Sequence, residues 1–108
     1  VLITRIYTTF IATLIVCTTG CCDEKGLPRA LRDLYSEKAS ERNKALLFVS
    51  KCGDRVESAV PRISQLLYDE NVGVASSAAY ALRCIDTNNA RAALKRAENA
   101  RAARRGRK

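Results

Sequence analysis

Five cysteines in a chain without a single histidine set the limits of the chemistry available to this sequence. Without imidazole, acid–base work falls to carboxylates, lysine, tyrosine or cysteine. Adjacent carboxylates occur at Asp23-Glu24 and Asp69-Glu70. The first pair lies in a polar linker and the second closes a helical pattern, where solvation or helix capping is their ordinary role. The sequence has no phosphate-binding glycine loop and no nucleophile motif. Cys21-Cys22 lacks the spacing of metal ligands, and no histidine can complete a zinc site. These residues predict a protein that is not an enzyme and that uses no metal or cofactor.

The thiols remain to be placed. Cys52 and Cys84 fall at the ends of two helical patterns, where each reads as a small apolar filler. They are 32 positions apart and so become neighbours if the helices stack. A disulfide needs Cα atoms within about 7 Å, closer than helices ordinarily approach. No disulfide framework is therefore expected. Cys22 reads as a spare thiol whose replacement by alanine should be nearly silent.

The N-terminal stretch accounts for Cys17 and Cys21. Arg5 is followed by an uncharged, mostly apolar run from Ile6 to Val16, then by small and polar residues and the charged Asp23-Glu24-Lys25. That is the layout of a secretory signal, and the run is short for a membrane span. Small residues ending in Gly20 directly before Cys21 resemble the lipobox of bacterial lipoproteins. The resemblance implies cleavage after Gly20 and a diacylglycerol on the Cys21 thiol, which becomes the mature N-terminus in the cell envelope. Thr18 departs from it, since leucine is usual there. A cut before Cys22 would place Cys21 where glycine or alanine is expected.

Two other readings stand beside this one. The segment could be an uncleaved anchor helix. Lys25, Arg29, Arg32 and Lys38 after the run, against Arg5 before it, would then favour a cytoplasmic body. It could also be a plain signal, or the product of an alternative start, since the chain opens on Val1.

Beyond residue 26 the pattern becomes helical. Ile63, Leu66 and Leu67 share one face, and after a turn at Asn71-Val72-Gly73 a second face is formed by Val74, Ala78, Leu82 and Ile85. Two amphipathic helices joined by a short turn bury those faces on each other as an antiparallel hairpin. Leu67 and Leu82 are predicted core positions. The pattern recurs upstream. Pro28 and Pro61 are 33 positions apart. At that offset Leu27 matches Val60, Arg29 matches Arg62, Leu34 matches Leu67, Tyr35 matches Tyr68, Ala45 matches Ala78, Val49 matches Leu82 and Cys52 matches Ile85. Asn88 to Glu98 reads as the first helix of a third, incomplete copy with smaller side chains.

The register resembles the HEAT repeat, particularly its short bacterial form. It is carried by Ala59-Val60-Pro61 with Leu66-Leu67, by Asp69 at the end of that helix, and by Val74 with Ala78-Ala79 and Ala81-Leu82 in the next. The resemblance implies an all-α fold, a short solenoid of about two and a half helical hairpins. It also implies a proline kink at Pro61. An arginine usually follows the valine that is Val74 here, and pairs with the aspartate ending a first helix. This chain has Ala75 there, while the first copy keeps Arg42 but has Ser36 in place of the aspartate. A cross-copy contact from Arg42 to Asp69 is the pairing left open.

Charge is concentrated at the C-terminus. From Arg91 to Lys108 eight basic residues face Glu98 alone, which leaves the rest of the chain one unit of the net +8. Residues 101–108, with Arg101, Arg104, Arg105, Arg107 and Lys108, have no large apolar side chain and are expected to be a basic tail, either disordered or a frayed helix end. Such a tail can meet an anionic surface, though export would argue against nucleic acid, and no aromatics are interleaved for base stacking.

The expected organisation is a signal or anchor over residues 1–20, a linker over 21–26, helical repeats over 27–100 and the tail over 101–108. The expected function is a membrane-anchored, non-enzymatic binding module for an unknown protein partner. Candidate partner-binding residues, off the apolar stripe of the second helices, are Arg42, Lys44, Ser76, Tyr80 and Arg83. Tyr80 and Arg83 are three apart and share a face. Two alternatives come from other classes: a cytoplasmic nucleic-acid-binding repeat module using the basic tail, and an enzyme's accessory subunit resembling the HEAT-like lyases that attach phycobilisome chromophores.

Overall fold

A computed structural model describes residues 22–106. The lipobox-like junction, Arg107 and Lys108 lie outside the described residues. Within them the chain is all-helical, as expected: α1 (Leu27–Asp33), α2 (Ala39–Val49), a 3-10 segment (Gly53–Ala59), α3 (Val60–Leu66), α4 (Val72–Ile85) and α5 (Asn88–Gly106). No helix among them is long and apolar enough to cross a membrane.

The two prolines begin equivalent helices. Pro28 and Pro61 each occupy the first turn of α1 and α3, where the missing N–H costs no helical hydrogen bond. Upstream of Pro61 an α-helix cannot continue, because the ring would meet the carbonyl of Glu57. The chain there is a 3-10 segment interrupted at Val56 (φ −105°, ψ 23°). Asp54 and Glu57 have the spacing of a capping box but do not form one, since this segment has no side-chain cap. Glu57 Oε1 instead accepts a hydrogen bond from Asn89 Nδ2 at 2.6 Å. Gly53 enters the segment at φ +60°, a left-handed conformation that costs glycine least.

Helix ends differ from the sequence reading by a few residues. The first helix ends at Asp33, and its last turn tightens into hydrogen bonds from Tyr35 N to Arg32 O (2.9 Å) and Ser36 N to Asp33 O (3.1 Å). α4 starts at Val72 because Asn71 caps it, its Oδ1 accepting from Val74 N at 3.1 Å. Asp86, left-handed at φ 51°, closes α4. The largest difference is at the C-terminus. α5 runs helical through Arg101, Arg104 and Arg105 to Gly106, so the expected disorder does not extend over residues 101–106.

α4 is the central element, packed on α2, α3 and α5, while α1 packs on α2 and α5 on α3. Its buried face is Val74, Ala78, Ala81, Leu82 and Ile85. Ile63, Leu66 and Leu67 face it from the α3 side, and Ala45, Leu46 and Val49 from α2. The alanines Ala90, Ala93 and Ala97 let α5 close over this core.

The cysteines depart from expectation. Cys22 is not a spare thiol: it forms a disulfide with Cys52, with a Cα–Cα distance of 4.7 Å. The linker makes this possible by doubling back, Gly26 N and Leu27 N both donating to Asp23 O at 3.1 Å. Gly26 itself lies against the Phe48 ring, leaving little room for a Cβ. Cys84 is also disulfide-bonded, and since Cys22 and Cys52 are joined to each other, the Cys52–Cys84 pair is not formed.

Candidate functional site

Arg42, in the first turn of α2, reaches across to the α3–α4 turn. Its Nε donates to Asp69 Oδ2 at 3.0 Å and its Nη2 to Asp69 Oδ1 at 3.2 Å. Nη1 donates to the carbonyls of Ser36 (2.8 Å) and Glu37 (2.9 Å). One guanidinium thus ties the α1–α2 turn to the α3–α4 turn. Burial works against the charged form of Asp69, but the Asn71 amide, the Arg42 hydrogen bond and the charges of Arg42 and Arg62 outweigh it and hold the carboxyl below its ordinary 3.8. A carboxylate held charged and paired in this way is poorly suited to donating a proton. Arg42, one of the partner-binding candidates, is likewise committed to the fold, which leaves few of its donors for a partner.

A second arginine, not singled out from the sequence, does similar work. Arg62 Nε donates to Leu34 O at 3.0 Å, Nη1 to Gln65 Oε1 at 3.1 Å, and the guanidinium lies 4.6 Å from the centroid of the Tyr35 ring. The contact carries the α1 end onto α3. The repeat register matched Arg62 with Arg29 and Tyr35 with Tyr68, and gave no sign that Arg62 and Tyr35 face each other.

Tyr80 is half-buried and Arg83 exposed on α4, and Lys44 is exposed on α2. Between these helices Asn43 and Ser77 are hydrogen-bonded through their side chains. None of Lys44, Tyr80 and Arg83 lines the grooves described here.

Two of the basic residues expected in the tail are brought to a concavity. Arg101 and Arg104 on α5, with Tyr68, Val72, Ala75 and Ser76 from the α3–α4 turn and the start of α4, border a groove of ≈ 470 Å³. Arg105 is exposed. A second groove of ≈ 500 Å³ lies between the 3-10 segment, α3 and α5, bordered by Glu57, Ser64, Asn89 and Arg96. Glu57 Oε2 is shut off from solvent there without a hydrogen-bond partner. Neither groove could be read from sequence, because each joins α5 to residues at least 24 positions away. The available signal was the charge of α5.

Comparison of the chain with protein-family models, with curated proteins and with solved structures finds no match.

Proposed function

We propose that this chain is a membrane-anchored, non-enzymatic binding module of the cell envelope, whose body is a short solenoid of HEAT-like helical hairpins. The observation that carries the reading is the equivalence of the two hairpins. Leu34 and Leu67, Ala45 and Ala78, Val49 and Leu82, and Cys52 and Ile85 are each buried in both copies. Chains built this way bind through extended surfaces rather than through catalytic side chains.

The Cys22–Cys52 disulfide supports export, since such bonds persist in oxidising compartments and are rare in the cytosol. It weighs against a cytoplasmic nucleic-acid-binding role. It also bears on lipidation: the Cys22 sulfur, held in a disulfide, is unavailable for acylation, and a chain cut before Cys21 and acylated there keeps no cysteine to pair with Cys84, which is disulfide-bonded as well.

Intact mass of the membrane fraction, followed by non-reducing peptide mapping, tests the reading. A chain lacking residues 1–20 with a lipid-sized gain on Cys21 is the expected result, and Cys21→Ala should release it from membranes. A thioether and a disulfide cannot share one sulfur. A mature chain whose Cys21 is disulfide-bonded and carries no lipid would therefore overturn the anchor while keeping export. An unprocessed soluble chain would overturn both.

A further inference from the structure

Beyond Ala97, α5 runs past the core and its basic residues are exposed. Arg101 and Arg104 are three apart and share a face, and that face borders the groove at the α3–α4 turn. Among the described residues neither guanidinium has an ion-pair partner. The acid lining the groove, Asp69, is already taken by Arg42. Across from the arginines, Tyr68 is 57% exposed and Val72 78% exposed. An aliphatic side chain that open, in the first turn of an amphipathic helix, contributes nothing to the core. The result is a concavity with an uncompensated positive rim and an apolar wall.

We infer that this groove binds an acidic peptide segment of a partner protein, its carboxylates on Arg101 and Arg104 and a neighbouring apolar side chain against Val72 and Tyr68. Guanidinium groups match carboxylates with paired, charge-assisted hydrogen bonds. The volume accommodates a few side chains rather than a folded surface. Position favours a peptide over lipid. Cys22 is fixed to Cys52, just past the end of α2 at Val49, and Arg42 beside the groove lies about 10 Å back along that helix from Val49 by its rise per residue. An anchor joined at residue 21 holds the cysteine end to the membrane and turns the groove toward soluble partners. The inference deepens the proposed binding role and rests on it for this orientation.

The test uses the full chain in neutral detergent micelles, titrated with a short end-blocked peptide alternating aspartate and leucine and followed by backbone amide NMR. The expected result is perturbation centred on Tyr68, Val72, Ser76 and Arg101, lost when asparagine replaces aspartate in the peptide. Arg101→Glu/Arg104→Glu, on exposed positions past the core, should weaken binding by at least about tenfold, as expected for loss of charge-assisted hydrogen bonds. Val72→Ser should weaken it with the arginines intact. Binding by the double variant equal to the parent, or perturbations confined to other residues, would overturn the inference. So would phosphatidylglycerol vesicles or a single-stranded oligonucleotide moving these amides where the peptide does not. Membrane retention is read separately by fractionation, so loss of the anchor and loss of peptide binding are distinguishable.

Discussion

Arg42 and Asp69, 27 residues apart, meet in a two-pronged ion pair that joins the turns of successive hairpins, with side chains only 15% and 11% exposed. The sequence keeps one arginine and one aspartate in different copies, and the fold brings them together. Arg42→Ala should cost about 3 kcal/mol, because it leaves a largely buried carboxylate without its counter-charge. Urea denaturation at neutral pH measures this. A loss within error of zero would place the pair among ordinary surface contacts.

The same pair predicts a pH dependence. The Asp69 carboxyl is held below 3.8 in the folded chain, so its contribution is fully present above that value and disappears as pH falls through the lower, folded pKa. Between pH 4 and pH 2 the parent should lose more stability than Asp69→Asn, which has no proton to take up at this position. Parallel acid profiles for the two proteins would contradict the assignment.

Cys22→Ser should be costly where the sequence alone predicted silence. Its disulfide closes a loop with a sequence separation of 30, and removing such a bond typically costs about 2 to 5 kcal/mol. Thermal melts of the variant and the parent under non-reducing conditions read the difference. Coincident melts would mean that the bond is not formed in the protein.

Leu67 and Leu82 are 4% and 0% exposed, on the α3 side and on the inner face of α4. Truncating either to alanine should cost about 2 to 5 kcal/mol, as other buried leucines do. For a body this small that approaches the whole stability. An unchanged helical circular dichroism melt for Leu82→Ala would refute the packing of α4.

Tyr80→Ala/Arg83→Ala provides the contrast. Arg83 is exposed, and neither side chain makes an ion pair or side-chain hydrogen bond among the described residues, so stability should change by less than about 1 kcal/mol. If pulldown from membrane extract loses a protein with this variant and keeps it with Arg101→Glu/Arg104→Glu, the second-helix face is the contact surface. The opposite pattern assigns it to the groove.

Helix existence and the inward face of each helix were legible because Val74, Ala78, Leu82 and Ile85, with their upstream equivalents, repeat at helical spacing, and burial follows that spacing directly. Helix limits were less so. Asn71 as a cap and the tightening after Asp33 depend on local hydrogen bonds that compete closely with another turn of helix. The Arg42–Asp69 contact could be anticipated because both residues belong to the repeat register. The Cys22–Cys52 bond could not, since Cys22 lies outside that register and reaches α2 only because the linker turns back at Asp23. The groove depended on where a long alanine-rich helix would finish, and composition alone read its last residues as disorder or a frayed end.

That disulfide also decides how the protein carries load. Tension entering at residue 22 passes through the sulfur bridge to Cys52, so all of α1 and α2 lies inside a covalent loop that never comes under strain. If a tethered copy is pulled by whatever it holds at the opposite end, the first hairpin stays folded as a rigid bead on its leash.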